Sequence, residues 1–175
     1  MRNLKVKIKR LSDNAVIPTY AHTTDAGLDL VATSKTLDEY GNVVYGTGIA
    51  LEIPDGYVGL VFPRSSNHKK YLFLTNSVGV IDSGYRGEIT FKYKPSVMVG
   101  VYEKLKDRLL QLLLGSRRSQ KHGGIYTEIW HLCEYAVGDR VGQLVILPYP
   151  KVEFKEVNEL SASDRCTGGY GSTGK

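Results

Sequence analysis

The chain has 175 residues, which suffices for one domain with a sizeable buried core, and its 42% hydrophobic and 23% charged residues are ordinary for a globular protein. The net charge of +5 fits an anionic substrate or a nucleic acid without deciding between them. The 19 glycines favour a turn-rich β protein or one whose backbone approaches a ligand.

The two cysteines, Cys133 and Cys166, form neither a disulfide framework nor a metal cluster of familiar spacing. This predicts a reduced, intracellular setting. Residues 1–10 alternate basic and apolar side chains, unlike a signal peptide, and the apolar run at 109–114 is too short to span a bilayer. We therefore expect a soluble cytoplasmic protein with no membrane partner.

Short strands are predicted along most of the chain. Leu4, Val6 and Ile8 alternate with lysines, which indicates a half-buried strand with a basic outer face. Similar strands are predicted at 48–53, 58–62, 71–75, 89–93 and 144–147, with turn signals at 40–42, 54–56, 82–84 and 137–139. Many short strands at this spacing predict an antiparallel barrel or jelly roll.

One segment departs from the strand pattern. Leu105, Leu109, Leu112 and Leu113 fall on one helical face, and Gly115 is placed as a C-terminal stop. We expect a helix and a basic loop inserted outside the β core, with the apolar stripe docked on its own domain or on a protein partner.

Four internal segments carry side chains suited to chemistry. The first has Asp29 between small and apolar residues, where a turn cap or a strand-edge charge is the commoner role of a single acid. The second follows a strand and aligns the donors Arg64, Ser65 and Ser66. The third is 76–88, treated next, and the fourth has Arg140 and Gln143 at the start of a strand. For Arg140 we favour a structural ion pair over direct catalysis.

The third segment, 76–88, is hard to explain as structure alone. Gly79, Gly84 and Gly87 surround Asp82 and Tyr85, whereas a plain hairpin needs one or two such glycines. The segment is therefore a candidate for a site that contains an acid and an aromatic ring.

The C-terminal ten residues contain four glycines, the hydroxyl side chains of Ser172 and Thr173, and Tyr170, and Arg165 precedes them. Glycine backbone, a guanidinium and hydroxyls are suited to wrapping phosphate, and the ring is suited to stacking on a flat base. Taken alone, the tail fits a disordered Gly/Ser terminus equally well.

In this order, the five segments closely resemble the five motifs of the trimeric dUTP pyrophosphatases (dUTPases). The matching pieces read Ala26-Gly-Leu-Asp-Leu, Pro63-Arg-Ser-Ser, Gly79-Val-Ile-Asp-Ser-Gly-Tyr-Arg-Gly-Glu, Arg140-Val-Gly-Gln-Leu and Arg165-Cys-Thr-Gly-Gly-Tyr-Gly-Ser-Thr-Gly. The resemblance implies an all-β, jelly-roll-like dUTPase β-barrel, to which this chain adds the predicted helical insertion between the third and fourth motifs. The expected organisation is a single dUTPase domain over 1–175, with the insertion at 96–127 and a flexible Gly-rich arm at 161–175.

The resemblance also implies an activity, the hydrolysis of dUTP to dUMP and pyrophosphate with Mg²⁺, by a homotrimer that needs no nucleic acid. Asp82 matches the catalytic acid that activates water, while Asp29, through water, and Gln143 match residues that orient the metal's hydration shell. The expected substrate-binding residues are Arg64, Ser65, Ser66, Asn76, Gly79, Val80, Ile81, Tyr85, Thr90, Gln143, Arg165, Tyr170, Gly171, Ser172 and Thr173.

Besides the insertion, which makes the gap between the third and fourth motifs longer than usual, three features depart from the family pattern. Cys166 stands where the family usually has glycine, Gly142 replaces an alanine, which we expect to be a mild change, and 67–70 is more polar and basic than usual. Two alternatives remain beside a dUTPase: a dCTP deaminase of the same fold, with Glu88 as its acid, and a dUTPase-like regulatory protein that binds a partner through its insertion.

Overall fold

The computed structural model describes residues 3–95 and 134–168. Within them the chain forms ten short strands and one 3₁₀ helix, which confirms the predicted all-β class. The strands are β1 (Lys7–Arg10), β2 (Leu28–Val31), β3 (Ser34–Leu37), β4 (Val43–Gly46), β5 (Ile49–Glu52), β6 (Tyr57–Phe62), β7 (Leu72–Leu74), β8 (Gly79–Ile81), β9 (Thr90–Pro95) and β10 (Arg140–Pro148). The 3₁₀ helix spans Ser65–Lys69.

Two predicted segments fall partly or wholly outside these residues. The helical insertion at 96–127 lies outside them, as does the 169–175 part of the predicted arm. The organisation as a single domain over 1–175 stays a prediction.

The strands pair antiparallel in two four-stranded sheets, ordered β2-β10-β6-β8 and β3-β4-β9-β7, while β1 pairs with β5. In the first sheet, β10 lies between β2 and β6, and Gln143 is opposite Asp29 on one side and Phe62 on the other. The strand β8 is the edge of this sheet. The first and fourth motifs thus meet on neighbouring strands, and the second motif begins directly after Phe62, because antiparallel register brings together residues far apart in sequence.

The core is built around three fully buried aromatic residues, Tyr45, Phe91 and Tyr93. The rings of Tyr45 and Tyr93 meet edge to face, with 6.0 Å between centroids. Burial raises the pKa of both phenols well above the usual value, so both hydroxyls stay protonated. The Tyr93 hydroxyl donates to the Val141 carbonyl at 2.6 Å, and this bond joins β9 to β10.

Gly142 allows the two sheets to pack closely. A Cβ at this position would lie 2.0 Å from Cε1 of Phe91, far inside van der Waals contact. The replacement of alanine by glycine at 142, which we expected to be mild, is therefore tied to the size of the Phe91 ring.

Strands form at all six alternating segments, as β1, β5, β6, β7, β9 and β10. The prediction that the first of them is half-buried was wrong, because all four residues of β1 are exposed in this chain. Four strands were missed: β2, β3, β4 and β8. Strand β3 has only one large apolar residue, Leu37, and β8 has three residues between turns, so neither shows a clear alternation. No helix in the described part of the chain is long and apolar enough to cross a membrane.

Candidate active site

A cleft of about 320 Å³ opens beside β8 and the turn that follows it. Seven of the predicted site residues line this cleft: Asn76, Gly79, Val80, Ile81, Asp82, Tyr85 and Thr90. They come from β8, from the turns on either side of it and from the start of β9. The structure thus brings most of the third segment into one concave surface.

One wall of the cleft is formed by β8, a strand with an unpaired backbone edge. Because β8 is an edge strand that pairs only with β6, the backbone N–H and C=O groups on its outer side are not used by the sheet. Gly79 lies opposite Val61, and a Cβ on Gly79 would be 2.4 Å from Cγ2 of Val61. Glycine therefore lets β8 sit close to β6 while its free edge faces outward.

A tight turn connects β8 to the rest of the third segment. The Tyr85 N–H donates to the Asp82 carbonyl at 3.0 Å, which places the acid at the first position of the turn. The Tyr85 hydroxyl donates to the Glu88 carbonyl at 3.0 Å. A Cβ on Gly87 would lie 2.4 Å from the same hydroxyl, so glycine leaves room for the tyrosine side chain. The ring is held at both ends and remains 45% exposed, available to a ligand.

The cleft holds two carboxylates that differ in exposure and in hydrogen bonding. Asp82 is exposed, and none of the described residues donates a hydrogen bond to its carboxylate. Glu88 is partly buried, and its Oε1 accepts the Gly48 N–H at 2.7 Å. The Asp82 carboxylate is thus the one that can accept a proton without breaking a structural hydrogen bond.

A second cluster surrounds Asp29 on β2. Its Oδ1 accepts from Nε of Arg64 at 2.9 Å and from Nε2 of Gln143 at 3.3 Å. Its Oδ2 accepts from Nη1 of Arg140 at 3.0 Å. The Asp29 side chain is 14% exposed, so a half-buried carboxylate is compensated by two guanidinium groups. Arg140 thus forms an ion pair, as the sequence favoured.

The 3₁₀ helix carries the other residues of the second motif. Arg64 precedes it, and its Nη1 lies 3.5 Å from the Ser66 hydroxyl. Ser65 is exposed and Ser66 is partly exposed. The helix has no acid in its first turn and carries Lys69 in its last turn.

The described residues do not form a protein cage for a metal. No group of three or more His, Cys, Asp or Glu side chains among them is placed to hold an ion. Both Asp29 oxygens already accept hydrogen bonds, so direct coordination by Asp29 would compete with two arginines. This donor set fits a hard cation that takes its oxygen ligands from a polyphosphate and water, with Asp29 and Gln143 in contact through water.

The described end of the arm is an exposed turn. Arg165 donates from Nε to the Gly168 carbonyl at 3.0 Å, and Cys166 has a φ of 43°. This left-handed value is one that glycine adopts without cost, and it explains why a glycine suits position 166. The remaining predicted arm residues, Tyr170, Gly171, Ser172 and Thr173, lie outside the described residues.

Lys92 also lines the cleft, although it was not among the predicted site residues. A period of two in Thr90-Phe-Lys-Tyr places Thr90 and Lys92 on the same face of β9, and the buried Phe91 and Tyr93 on the other. That alternation was the available signal. Glu88, considered only as the acid of the alternative deaminase, also lines the cleft.

Comparison with known proteins places this fold and site in a family. The family model described as dUTPase matches residues 13–123. The deoxyuridine 5'-triphosphate nucleotidohydrolase of Gloeobacter violaceus is 37% identical over 180 aligned residues, covering 99% of each chain. The enzyme of the same name from Clostridium acetobutylicum is 34% identical over 173 residues, covering 98% of this chain and 97% of its own.

Solved structures agree with the sequence relatives. The dUTPase of Staphylococcus bacteriophage 80alpha with dUpNHpp superposes with a TM-score of 0.68 at 27% identity, covering 98% of this chain and 99% of its own. A variant of the phage phi11 dUTPase from S. aureus, described with a structural Mg(II) ion, has a TM-score of 0.62 at 26% identity and covers 90% and 99%. The chain belongs to the dUTPase family.

Proposed function

We propose that the protein is an enzyme that hydrolyses dUTP to dUMP and pyrophosphate, which lowers dUTP and supplies the precursor of dTTP. The observation that carries this proposal is the cleft, in which six other predicted site residues surround the exposed carboxylate of Asp82, which has no hydrogen-bond donor among the described residues. The family relationship and the names of the relatives agree with the activity.

In the proposed reaction, the Asp82 carboxylate orients a water molecule and accepts its proton. The water oxygen forms a bond to the α-phosphorus as the bond to the bridging oxygen breaks, and pyrophosphate leaves with that oxygen. Because phosphoryl transfer relies on positioning and charge stabilisation, one acid beside a cationic phosphate site suffices.

The base would be read by the backbone of β8. The unpaired edge at Val80 and Ile81 offers a fixed pattern of donors and acceptors, which suits uracil and opposes the reversed pattern of cytosine. Asn76 and Thr90 would contact the nucleoside from either side. The Tyr85 ring, held by its hydroxyl, would pack on deoxyribose where a 2′-hydroxyl would clash.

The phosphates would lie against the second motif, with Arg64, Ser65 and Ser66 as donors. Arg64 would have to contact Asp29 and a phosphate at the same time. Its Nε makes the shorter contact with Asp29, so its Nη groups are the ones suited to donating to a phosphate. From the arm, Arg165, Gly171, Ser172 and Thr173 would add donors, and Tyr170 would stack on uracil. Asp29 and Gln143 would orient the water shell of Mg²⁺, which when bound would neutralise charge on the triphosphate.

The proposed assembly is a homotrimer, with the arm of one subunit completing the site of another. A protein partner at the 96–127 insertion, a cytoplasmic location and the absence of a nucleic-acid partner stay predictions from the sequence.

The alternative deaminase activity needs a free glutamate at the base, and Glu88 is not free. Its Oε1 accepts the Gly48 N–H, and a Cβ on Gly46 would come within 2.6 Å of this same oxygen. The carboxylate is thus packed into the loop between β4 and β5. This contact favours hydrolysis of the phosphate chain over deamination.

The test is release of pyrophosphate and of ammonia from dUTP, dCTP, dTTP and UTP, each with and without Mg²⁺. We expect pyrophosphate from dUTP alone, in a Mg²⁺-dependent reaction. Ammonia from dCTP would establish the deaminase instead. Absence of both products with folded protein would refute the enzymatic proposal and leave binding through the insertion to be tested by pulldown.

A further inference from the structure

The turn that carries the proposed phosphate ligands has few local means of support. None of the residues of its 3₁₀ helix, Ser65–Lys69, is buried, and Arg64 makes no side-chain capping bond. A five-residue 3₁₀ helix is marginal without tertiary contacts. Its position must therefore be set by contacts with other parts of the chain.

The first contact centres on Asn67. Its Nδ2 donates to the Leu72 carbonyl at 2.6 Å, and its Oδ1 accepts from the Tyr135 hydroxyl at 3.0 Å. Because both ends of the amide are used, the Asn67 side chain has one defined orientation. The helix is thus connected to a residue 68 positions later in sequence.

The second contact is made by Lys70, directly after the helix. Its Nζ donates to the Glu134 carbonyl at 2.9 Å and lies 5.3 Å from the centroid of the Tyr135 ring. Glu134 also pairs with Lys35 on β3. The C-terminal half of the turn is therefore held at two points by residues 134 and 135.

Tyr135 is itself rigidly placed. It is 4% exposed, its N–H donates to the Tyr45 hydroxyl at 3.0 Å, and the two rings meet edge to face at 5.8 Å. Burial raises the pKa of the Tyr135 phenol, so its hydroxyl remains a donor at neutral pH. The aromatic core thus provides a fixed point from which a single hydroxyl reaches the turn.

We propose that Tyr135 is a positioning residue for phosphate binding: through Asn67 it fixes the turn that presents Arg64, Ser65 and Ser66. The inference rests on the proposed function, since it concerns how the same site holds the triphosphate. Tyr135 should therefore affect binding of the phosphate end of the ligand. It should not affect binding of the nucleoside end, because β8 and Tyr85 form that part of the cleft independently of the turn.

The test uses Tyr135→Phe, which keeps the ring and removes the hydroxyl. Tyr93→Phe is the matched control, because it removes another buried hydroxyl from the same aromatic cluster, one that bonds Val141 and not the turn. Affinities for the non-hydrolysable analogue dUpNHpp and for deoxyuridine are measured on both variants. We expect Tyr135→Phe to weaken dUpNHpp binding about 2- to 10-fold, as for one lost hydrogen bond, with deoxyuridine unchanged. Tyr93→Phe should change neither.

Asn67→Ala gives an independent variant should Tyr135→Phe fail to fold. It should weaken dUpNHpp binding at least as much, because it removes both contacts of the amide. In a protein that already carries Asn67→Ala, adding Tyr135→Phe should cost no further affinity.

Three results would overturn the inference: equal weakening of both ligands, equal effects of Tyr135→Phe and Tyr93→Phe, or independent effects in the double variant. A wild-type protein that binds no dUpNHpp would instead contradict the proposed function itself. The two failures are thereby distinguished.

Discussion

The two aspartates of the site, Asp29 and Asp82, differ in burial and in hydrogen bonding. Asp29 is half-buried and accepts hydrogen bonds from Arg64, Arg140 and Gln143. Asp82 is exposed and receives no hydrogen bond from the described residues. A carboxylate held by two guanidiniums is suited to organising its neighbours, and one with free oxygens is suited to accepting a proton. The two roles follow from environment, since the side chains are the same.

The first prediction concerns Asp29→Asn. The amide oxygen can still accept hydrogen bonds, but the charge that compensates two arginines and orients the metal's water is lost. We expect kcat/KM for dUTP to fall about 10- to 100-fold and half-maximal activity to need more Mg²⁺. The measurement is a Mg²⁺ titration of steady-state rates. Glu52→Gln, in the exposed pair with Lys7, serves as control. An unchanged Mg²⁺ dependence in Asp29→Asn would contradict the proposed role.

At the level of elements, the site depends on how closely strands approach each other. Gly79 lets β8 lie against Val61, and Gly142 gives room to the Phe91 ring from the other sheet. At both positions, the methyl group of an alanine would clash with a neighbouring side chain. The position of the exposed edge of β8, which is proposed to recognise the base, thus depends on the close packing of β8 against β6.

The second prediction is that Gly142→Ala destabilises the fold. The added methyl would sit 2.0 Å from Phe91, and overpacking of this kind typically costs about 1–3 kcal/mol. Chemical denaturation measures the free energy of unfolding. Phe91→Leu should make room, so the double variant should be more stable than the sum of the two single losses predicts. Gly84→Ala, where a Cβ meets nothing within 4 Å, is the control. Additive losses would show that Phe91 is not the obstacle.

Sequence patterns predicted some of these elements and could not predict others. Strands with clear alternation, such as β6 and β9, were predicted because burial of one face leaves a period of two. The bonds from Tyr135 to Asn67 and from Arg140 to Asp29 span 68 and 111 positions, and no local pattern encodes them. The same holds for the dependence of Gly142 on Phe91, which arises only when two sheets pack.

At the level of the whole molecule, the single chain leaves apolar side chains exposed near its C-terminus. Phe154 is 96% exposed and Leu160 is 89% exposed, in a segment without helix or strand. These apolar groups would be removed from water if another chain packed against them. They support the proposed trimer, in which the arm leaves its own subunit.

The third prediction tests that arrangement by mixing two inactive variants. One lacks residues 161–175 and the other carries Asp82→Asn. If the arm of one subunit completes the site of another, mixed trimers should regain about a quarter of the wild-type activity per site. In a random, equal mixture, about half of the sites have an intact Asp82, and about half of those receive an intact arm from the other subunit. Refolding the two variants together, with each alone as control, makes the measurement. No recovery in trimers shown to be mixed would mean that each arm serves its own subunit.

The central claim is that dUTP is hydrolysed in the cleft at Asp82, and single-turnover kinetics of wild type and Asp82→Asn test it most directly. The substitution keeps the shape of the side chain and removes its ability to accept a proton. We predict that cleavage of dUTP slows by at least about 100-fold while the affinity for dUpNHpp stays within about 3-fold. Cleavage by Asp82→Asn at the wild-type rate would contradict the account.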